Sequence, residues 1–231
     1  MAVTAKKLPK IPCGGKHEKA ARLSGYTCIA GVDEVGRGAL FGPVFAAAVI
    51  LSPDRPIRGL RDSKLLHAPQ RELLTDRIRE RAVSWAVGAA DAYEIDRINI
   101  YQASRLAMMR AIRQLSPACD YILTDAVPLD IEIQNEPIIH GDAQVQCIAA
   151  ASILAKTSCD RCMKEWDAVF PEFGLARHKG YCTEEHTQAL QKYGPTLLHR
   201  FSFEPVRLSC QLSLWAGYDE KGDDLVQHAT A

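Results

Sequence analysis

Two nearly continuous apolar runs, residues 26–35 and 42–51, stand either side of a glycine-rich turn. Runs without a polar face predict strands covered on both sides. "AVSWAVGAA" (82–90) alternates, which predicts a third strand. "DYILTDAV" (120–127) predicts a short strand ending in an acid, and "LDIEI" and "PIIHG" predict short flanking strands. A helical period takes over elsewhere. Pro69 suits a helix start, and Leu73, Leu74 and Ile78 then share one face. Residues 92–115 predict one or two helices with Leu106, Met109 and Ile112 at core spacing, and 143–169 predict one long helix. Thr183, followed by Glu184 and Glu185, predicts the cap of a helix that stops at Gly194-Pro195. "SPDRPIRGLRDSK" (52–64) reads as a loop, and no internal repeat is visible.

Strands followed by strands alternating with helices imply an α/β sheet domain with helices packed around it. The expected organisation is a basic, unstructured arm over 1–24, a sheet domain over 25–170, a helical C-terminal subdomain over 171–216 and a polar tail over 217–231. A chain of 231 residues with 47% hydrophobic and 24% charged residues has an ordinary globular composition.

Charge refines this picture. The formal net charge is zero, yet the first 24 residues carry Lys6, Lys7, Lys10, Lys16, Lys19 and Arg22 against Glu18 alone. The remainder is therefore net acidic, so nucleic-acid binding would need a local basic patch. The arm reads either as a solvated tail or as an attractor of phosphate polyanions. No apolar segment follows the early lysines, so no signal peptide is expected, and no run reaches the length of a membrane span. The eight cysteines are expected as reduced thiols of a cytoplasmic protein. The lone "CDRC" spacing (Cys159, Cys162) falls in a helical pattern and is a weak signal for redox or zinc chemistry.

The informative residues are acids that interrupt apolar surroundings: Asp33 and Glu34 in "GVDEVGRG", Asp125 in "LTDA" and Asp160 in the long helix. A carboxylate at a buried strand end is costly unless paired or bound to a cation. Hydrogen-bonded structural aspartates are common, but several converging acids favour a cation, and oxygen ligands suit magnesium or manganese. Neighbouring strand residues point to opposite faces, so Asp33 and Glu34 can share a pocket only if the strand breaks or bulges at once. Gly36 and Gly38 permit that break. Ser152, Lys156 and Asp160, spaced i, i+4, i+8, lie on one helical face. That face is either a phosphate- and metal-binding stripe or a solvated one.

Taken together, "GVDEVGRG", "RDSKLL", "LTDA", "GDAQVQCIAAASILAKTSCDR" and the spaced "HKGY", "GPTLLHR" and "SF" motifs resemble bacterial ribonuclease HII over residues 26–207. The resemblance implies a ribonuclease H-like fold, a mixed central sheet flanked by helices with a small helical C-terminal part. It implies an endonuclease that hydrolyses the RNA strand of RNA–DNA hybrids and cuts at ribonucleotides embedded in duplex DNA. Two divalent cations, Mg²⁺ or Mn²⁺, would be held by Asp33, Glu34, Asp125 and Asp160. The products would carry 5′-phosphate and 3′-hydroxyl ends. Gly36, Arg37 and Gly38 would meet the 2′-hydroxyl through their backbone, and Tyr181 would pack against the ribose. Lys64, Ser152 and Lys156 would meet phosphates, and the enzyme would work as a monomer. Two positions depart from the family pattern: Ala126 replaces a glycine after the third acid, and Cys159 replaces an arginine before the fourth. The histidines 140, 178, 186 and 199 are expected to be structural or peripheral.

Overall fold

The structure, a computed structural model, describes residues 13–210. In chain order the elements are α1 (Lys16–Leu23), β1 (Ile29–Val35), β2 (Val44–Ile50), α2 (Ala68–Arg81), β3 (Ser84–Ala90), α3 (Ala92–Arg113), β4 (Tyr121–Asp125), β5 (Asn135–Ile138), α4 (Gly141–Gln144), α5 (Gln146–Val169), α6 (Leu175–His178) and α7 (Glu184–Tyr193). The strands form one mixed five-stranded sheet in the order β3-β2-β1-β4-β5. Two compact units alternate along the chain. The first takes described residues up to Asp33, Ala47–Ala86 and Ile112–Leu154; the second takes Glu34–Ala46, Val87–Ala111 and the described residues from Ala155.

In the first unit, β1 and β4 run parallel with Ile29 opposite Tyr121 and Val32 opposite Thr124. A single side chain anchors that register. Asp120 accepts hydrogen bonds from the Thr27 and Cys28 backbone N–H groups (2.8 and 2.9 Å) and from the Thr27 hydroxyl (2.9 Å). Burial raises the Asp120 pKa, but these donors outweigh it and hold the carboxyl below its usual range. One more step along the register brings Asp33 level with Asp125 at the carboxyl ends of the parallel strands, where open α/β sheets place their ligands. The core here gathers Ile29, Leu123, Val145 and Ile148.

The second unit has its own core of Leu40, Phe41, Met163, Phe173, Leu175, Leu190 and Val206. In it, α3 lies close against β3: a Cβ on Gly88 would stand 2.3 Å from the Ala107 carbonyl oxygen. Ala107 and Ala111 lie at that contact; Ala103, Ala107, Met108, Ala111 and Ile112 are buried, while Leu106 and Met109 are only partly so. Of the expected core positions, Ile112 is buried and Leu106 and Met109 are not fully so. Asn99 divides α3 with a left-handed φ of 66°, and its side chain caps the second half by accepting from Gln102 N–H at 3.1 Å.

Other expectations change at particular residues. The stretch read as an unstructured arm contains α1, pinned where Glu18 accepts from Cys147 N–H at 3.0 Å; residues 1–12 and 211–231 lie outside the described residues. "LDIEI" is not a strand, because the Asn135 side chain takes both the N–H and the carbonyl of Leu129. The long helix begins later than predicted, since Val145 is extended and bridges to Gly14. On α2, Leu74 and Ile78 are buried but Leu73 is exposed. Thr183 caps α7 as expected, accepting from His186 N–H at 3.3 Å.

Candidate metal centre and sugar-facing loop

Asp33, Asp125 and Asp142 bring carboxylate oxygens within 4.8 Å of one another. Asp33 ends the buried part of β1, Asp125 ends β4, and Asp142 opens α4. Asp33 and Asp142 are buried, and Asp125 is half-buried. Gly141 N–H donates to Asp125 Oδ1 at 2.8 Å, which fixes one oxygen and leaves the carboxylate's other lone pairs available.

The electrostatics are those of a cation site. Asp142 is pushed up to about 6, first by burial and then by the charges of Asp125 and Asp62 and a hydrogen bond with Asp62, with Lys64 acting in the opposite sense. For Lys64 burial is the largest single influence and lowers its pKa. The carboxylates of Asp62, Asp142, Asp33 and Asp125 together outweigh it, so the ammonium is held charged above its ordinary range. Crowded carboxylates raise one another's pKa, and a hard divalent cation relieves them. An all-oxygen donor set of this kind fits magnesium or manganese.

Asp142 was not among the residues expected at the site. Its Gly-Asp step reads as an ordinary helix opening, and only the return of the chain after β5 brings it beside Asp125. Ser152, expected to touch phosphate, is buried, with its hydroxyl 3.0 Å from that of Ser63. Its contact supports the short turn that carries Lys64. Ala126 has a φ of 55°, in the left-handed region. An L-residue with a Cβ is disfavoured there by about 1 kcal/mol relative to glycine, so the departure at this position strains the turn that follows Asp125.

In the second unit, Glu34 pairs with Arg37 (Nη1–Oε1 3.1 Å), and Lys156 pairs with Asp160 (Nζ–Oδ1 2.6 Å). Gly36 has a φ of 89°, which requires glycine and turns the chain immediately after Glu34. Tyr181 packs beside Gly38: a Cβ built there would lie 3.6 Å from the tyrosine ring. The ring is partly exposed. Residues 39 and 181 form an antiparallel bridge, and Leu40 N–H donates to the Gly180 carbonyl at 2.7 Å. Loop and tyrosine are thus one local construction.

Cys159 lies in the apolar core of this unit, and burial pushes its thiol up to about 11. Burial also raises Cys162. Thiols held protonated are poor nucleophiles and poor metal ligands, and none of the eight cysteines is in a disulfide. His186 and His199 are buried side by side. Thr196 N–H donates to His199 Nδ1 (2.9 Å), so the His199 proton is on Nε2, facing His186 Nε2 at 3.2 Å. His186 then carries its proton on Nδ1, 3.1 Å from the Tyr181 carbonyl oxygen, to which it donates. Burial, reinforced by His186, pushes His199 down to about 3, so the pair is neutral. Both rings serve structure, as expected.

A sequence model of the family described as Ribonuclease HII matches residues 30–206. A protein named Ribonuclease HII from Solibacter usitatus is 59% identical over 210 residues, covering 88% of this chain and 92% of the relative. One of the same name from Koribacter versatilis is 54% identical over 199 residues, covering 86% and 78%. Among solved structures, the ribonuclease H2 of Pyrococcus horikoshii superposes with a TM-score of 0.68 at 24% identity, over 80% of this chain and 98% of that one. A ribonuclease HIII in complex with Mn²⁺ superposes with a TM-score of 0.63 at 20% identity, over 84% and 72%. The two superpositions establish the fold; the sequence matches establish more, for the chain belongs to the ribonuclease HII family and is a metal-dependent nuclease, a hydrolase.

Proposed function

We propose that this nuclease hydrolyses the RNA strand of RNA–DNA hybrids and also cuts at single ribonucleotides embedded in duplex DNA, leaving 5′-phosphate and 3′-hydroxyl ends. The observation that carries this reading is the convergence of Asp33, Asp125 and Asp142 oxygens at the carboxyl ends of β1 and β4. Asp33 and Asp125 are proposed as ligands of Mg²⁺ or Mn²⁺, with Glu34 and Asp160 completing the set that the sequence motifs imply, for two ions once substrate is bound. Bound there, the cations supply Lewis-acid polarisation of the phosphodiester and a water of lowered pKa.

The chain's own residues handle the rest. Asp142 adds negative charge beside Asp125 and strengthens the hold on a cation. Lys64, kept protonated by the surrounding carboxylates, is proposed to meet a phosphate oxygen as a point charge. Ser152 acts on that lysine's turn through Ser63. Lys156, which pairs with Asp160, would meet a phosphate oxygen, and Asp160 would be a ligand of the metal. The backbone of Gly36, Arg37 and Gly38 approaches the 2′-hydroxyl, the group by which a protein distinguishes RNA from DNA, and so reads sugar without reading base. Tyr181 packs against the ribose at the junction.

The proposed place of action is the cytoplasm, as a monomer. Eight cysteines with no disulfide among them support a reducing compartment, and no described helix is long and apolar enough to cross a membrane.

The test is a DNA duplex carrying one ribonucleotide, incubated with and without Mg²⁺ or Mn²⁺. Metal-dependent cutting beside the ribonucleotide is expected. Cutting of an all-DNA duplex at the same rate would contradict the reading. Tyr181→Ala should slow cutting at isolated ribonucleotides by about 10- to 100-fold while long hybrids lose less. An equal loss on both substrates would remove the tyrosine from the junction.

A further inference from the structure

Arg200 is the largest fully buried side chain in the described protein, and no carboxylate pairs with it. Burying a charge without a counter-charge is expensive, so its contacts need a reason. Nε donates to the Gly42 carbonyl at 2.9 Å and Nη1 to the Arg37 carbonyl at 3.0 Å. The planar guanidinium therefore spans the segment 37–42 and clamps both of its ends. Nη2 has no hydrogen-bond partner among the described residues, and a Cβ built on Gly36 would lie 4.0 Å from it. The Phe203 ring receives the cation on its face, with the guanidinium carbon 5.3 Å from the ring centroid.

The clamp itself is anchored. Arg200 N–H donates to the Leu40 carbonyl at 2.8 Å, and residues 41 and 199 form an antiparallel bridge. Immediately after it, Asp96 accepts from the Phe201 and Ser202 backbone N–H groups, each at 2.8 Å, and from the Ser202 hydroxyl at 2.6 Å. The middle of the clamped segment is also the strand that pairs with Gly180 and Tyr181. Burial pushes the Arg200 pKa down to about 10, against the opposing influence of Cys159, Tyr181 and Asp96, so the group still carries its charge at neutral pH.

We infer that Arg200 is a positioning residue for sugar recognition, its guanidinium fork holding the Gly36-Arg37-Gly38 backbone at the setting from which it meets the 2′-hydroxyl. The inference rests on the proposed role of that loop. A lysine keeps the charge but has no planar fork and cannot span two carbonyls in this geometry. The loop would then stay closed on average but lose its aim, and a misplacement of about 1 Å is worth as much as 100-fold in rate.

The experiment compares two duplexes with each enzyme preparation, one carrying a single ribonucleotide and one carrying a 2′-fluoro nucleotide at that position, which has no hydroxyl to donate. The ratio of their kcat/KM values measures what the 2′-hydroxyl contributes and does not depend on the folded fraction. In Arg200→Lys the ratio should fall by about tenfold or more, through kcat on the ribonucleotide substrate, with KM little changed. Arg200→Gln, which keeps a single NH2 donor group and no charge, should behave alike. A ratio within about twofold of wild type in either folded variant overturns the inference, as would failure of both variants to fold, which would make Arg200 a general buttress. Wild-type enzyme that does not cut at the ribonucleotide would instead overturn the proposed function.

Discussion

Asp33→Asn is expected to lose at least about 10³-fold in kcat, roughly 4 kcal/mol of transition-state stabilisation, while the protein stays folded and still binds an RNA–DNA hybrid. The substitution keeps the shape of a buried side chain and removes one negative charge from three carboxylates whose oxygens lie within 4.8 Å of each other. Metal affinity falls because an amide oxygen is a far weaker ligand for a hard cation than a carboxylate. Without metal, the repulsion among the acids is relieved, so the variant should melt at or slightly above the wild-type temperature. With Mg²⁺ or Mn²⁺ the wild type should gain stability and the variant should not. A variant that keeps full turnover would remove Asp33 from the metal site.

The largest effect on stability is expected at Gly31→Ala. Gly31 is in the buried stretch of β1, two residues before Asp33, and its backbone lies directly against the start of α5. A Cβ there would stand 2.1 Å from the Cys147 carbonyl carbon and 2.3 Å from the Ile148 nitrogen. These are backbone atoms of the first helical turn, so no side chain can move aside. Either β1 or the helix start must shift, at a cost of roughly 3 kcal/mol or more. For a chain of this size that corresponds to a loss of about 10 °C in melting temperature. A thermal melt checks it; an unchanged midpoint would mean that the helix is not seated on β1 as described.

Legibility in the sequence followed how local the cause was. β1, β2 and β4 were readable because strands covered on both faces leave long apolar runs. The α7 cap was readable because Thr183 and two acids are contiguous. Asp33 and Asp125 were readable as acids at strand ends, and the parallel register explains why they meet. What failed depended on distant partners. The α3 stripe was misassigned at Leu106 and Met109, because the residues set against Gly88 are Ala107 and Ala111. Asp142 was missed because nothing near it in sequence distinguishes it from a helix-opening aspartate. The Lys156–Asp160 pair followed from its i, i+4 spacing, whereas the partner of the Ser152 hydroxyl, Ser63, lies 89 residues away. Arg200 is an ordinary letter in "LLHR" until the fold encloses it.

Central to the account is that Asp33, Asp125 and Asp142 form a cation-binding centre. The most direct measurement is a Mn²⁺ titration in the absence of nucleic acid, following the free-ion paramagnetic signal for the wild type, Asp33→Asn and Asp125→Asn. The account predicts saturable uptake by the wild type and its loss in both variants. Equal Mn²⁺ uptake by all three proteins would contradict it.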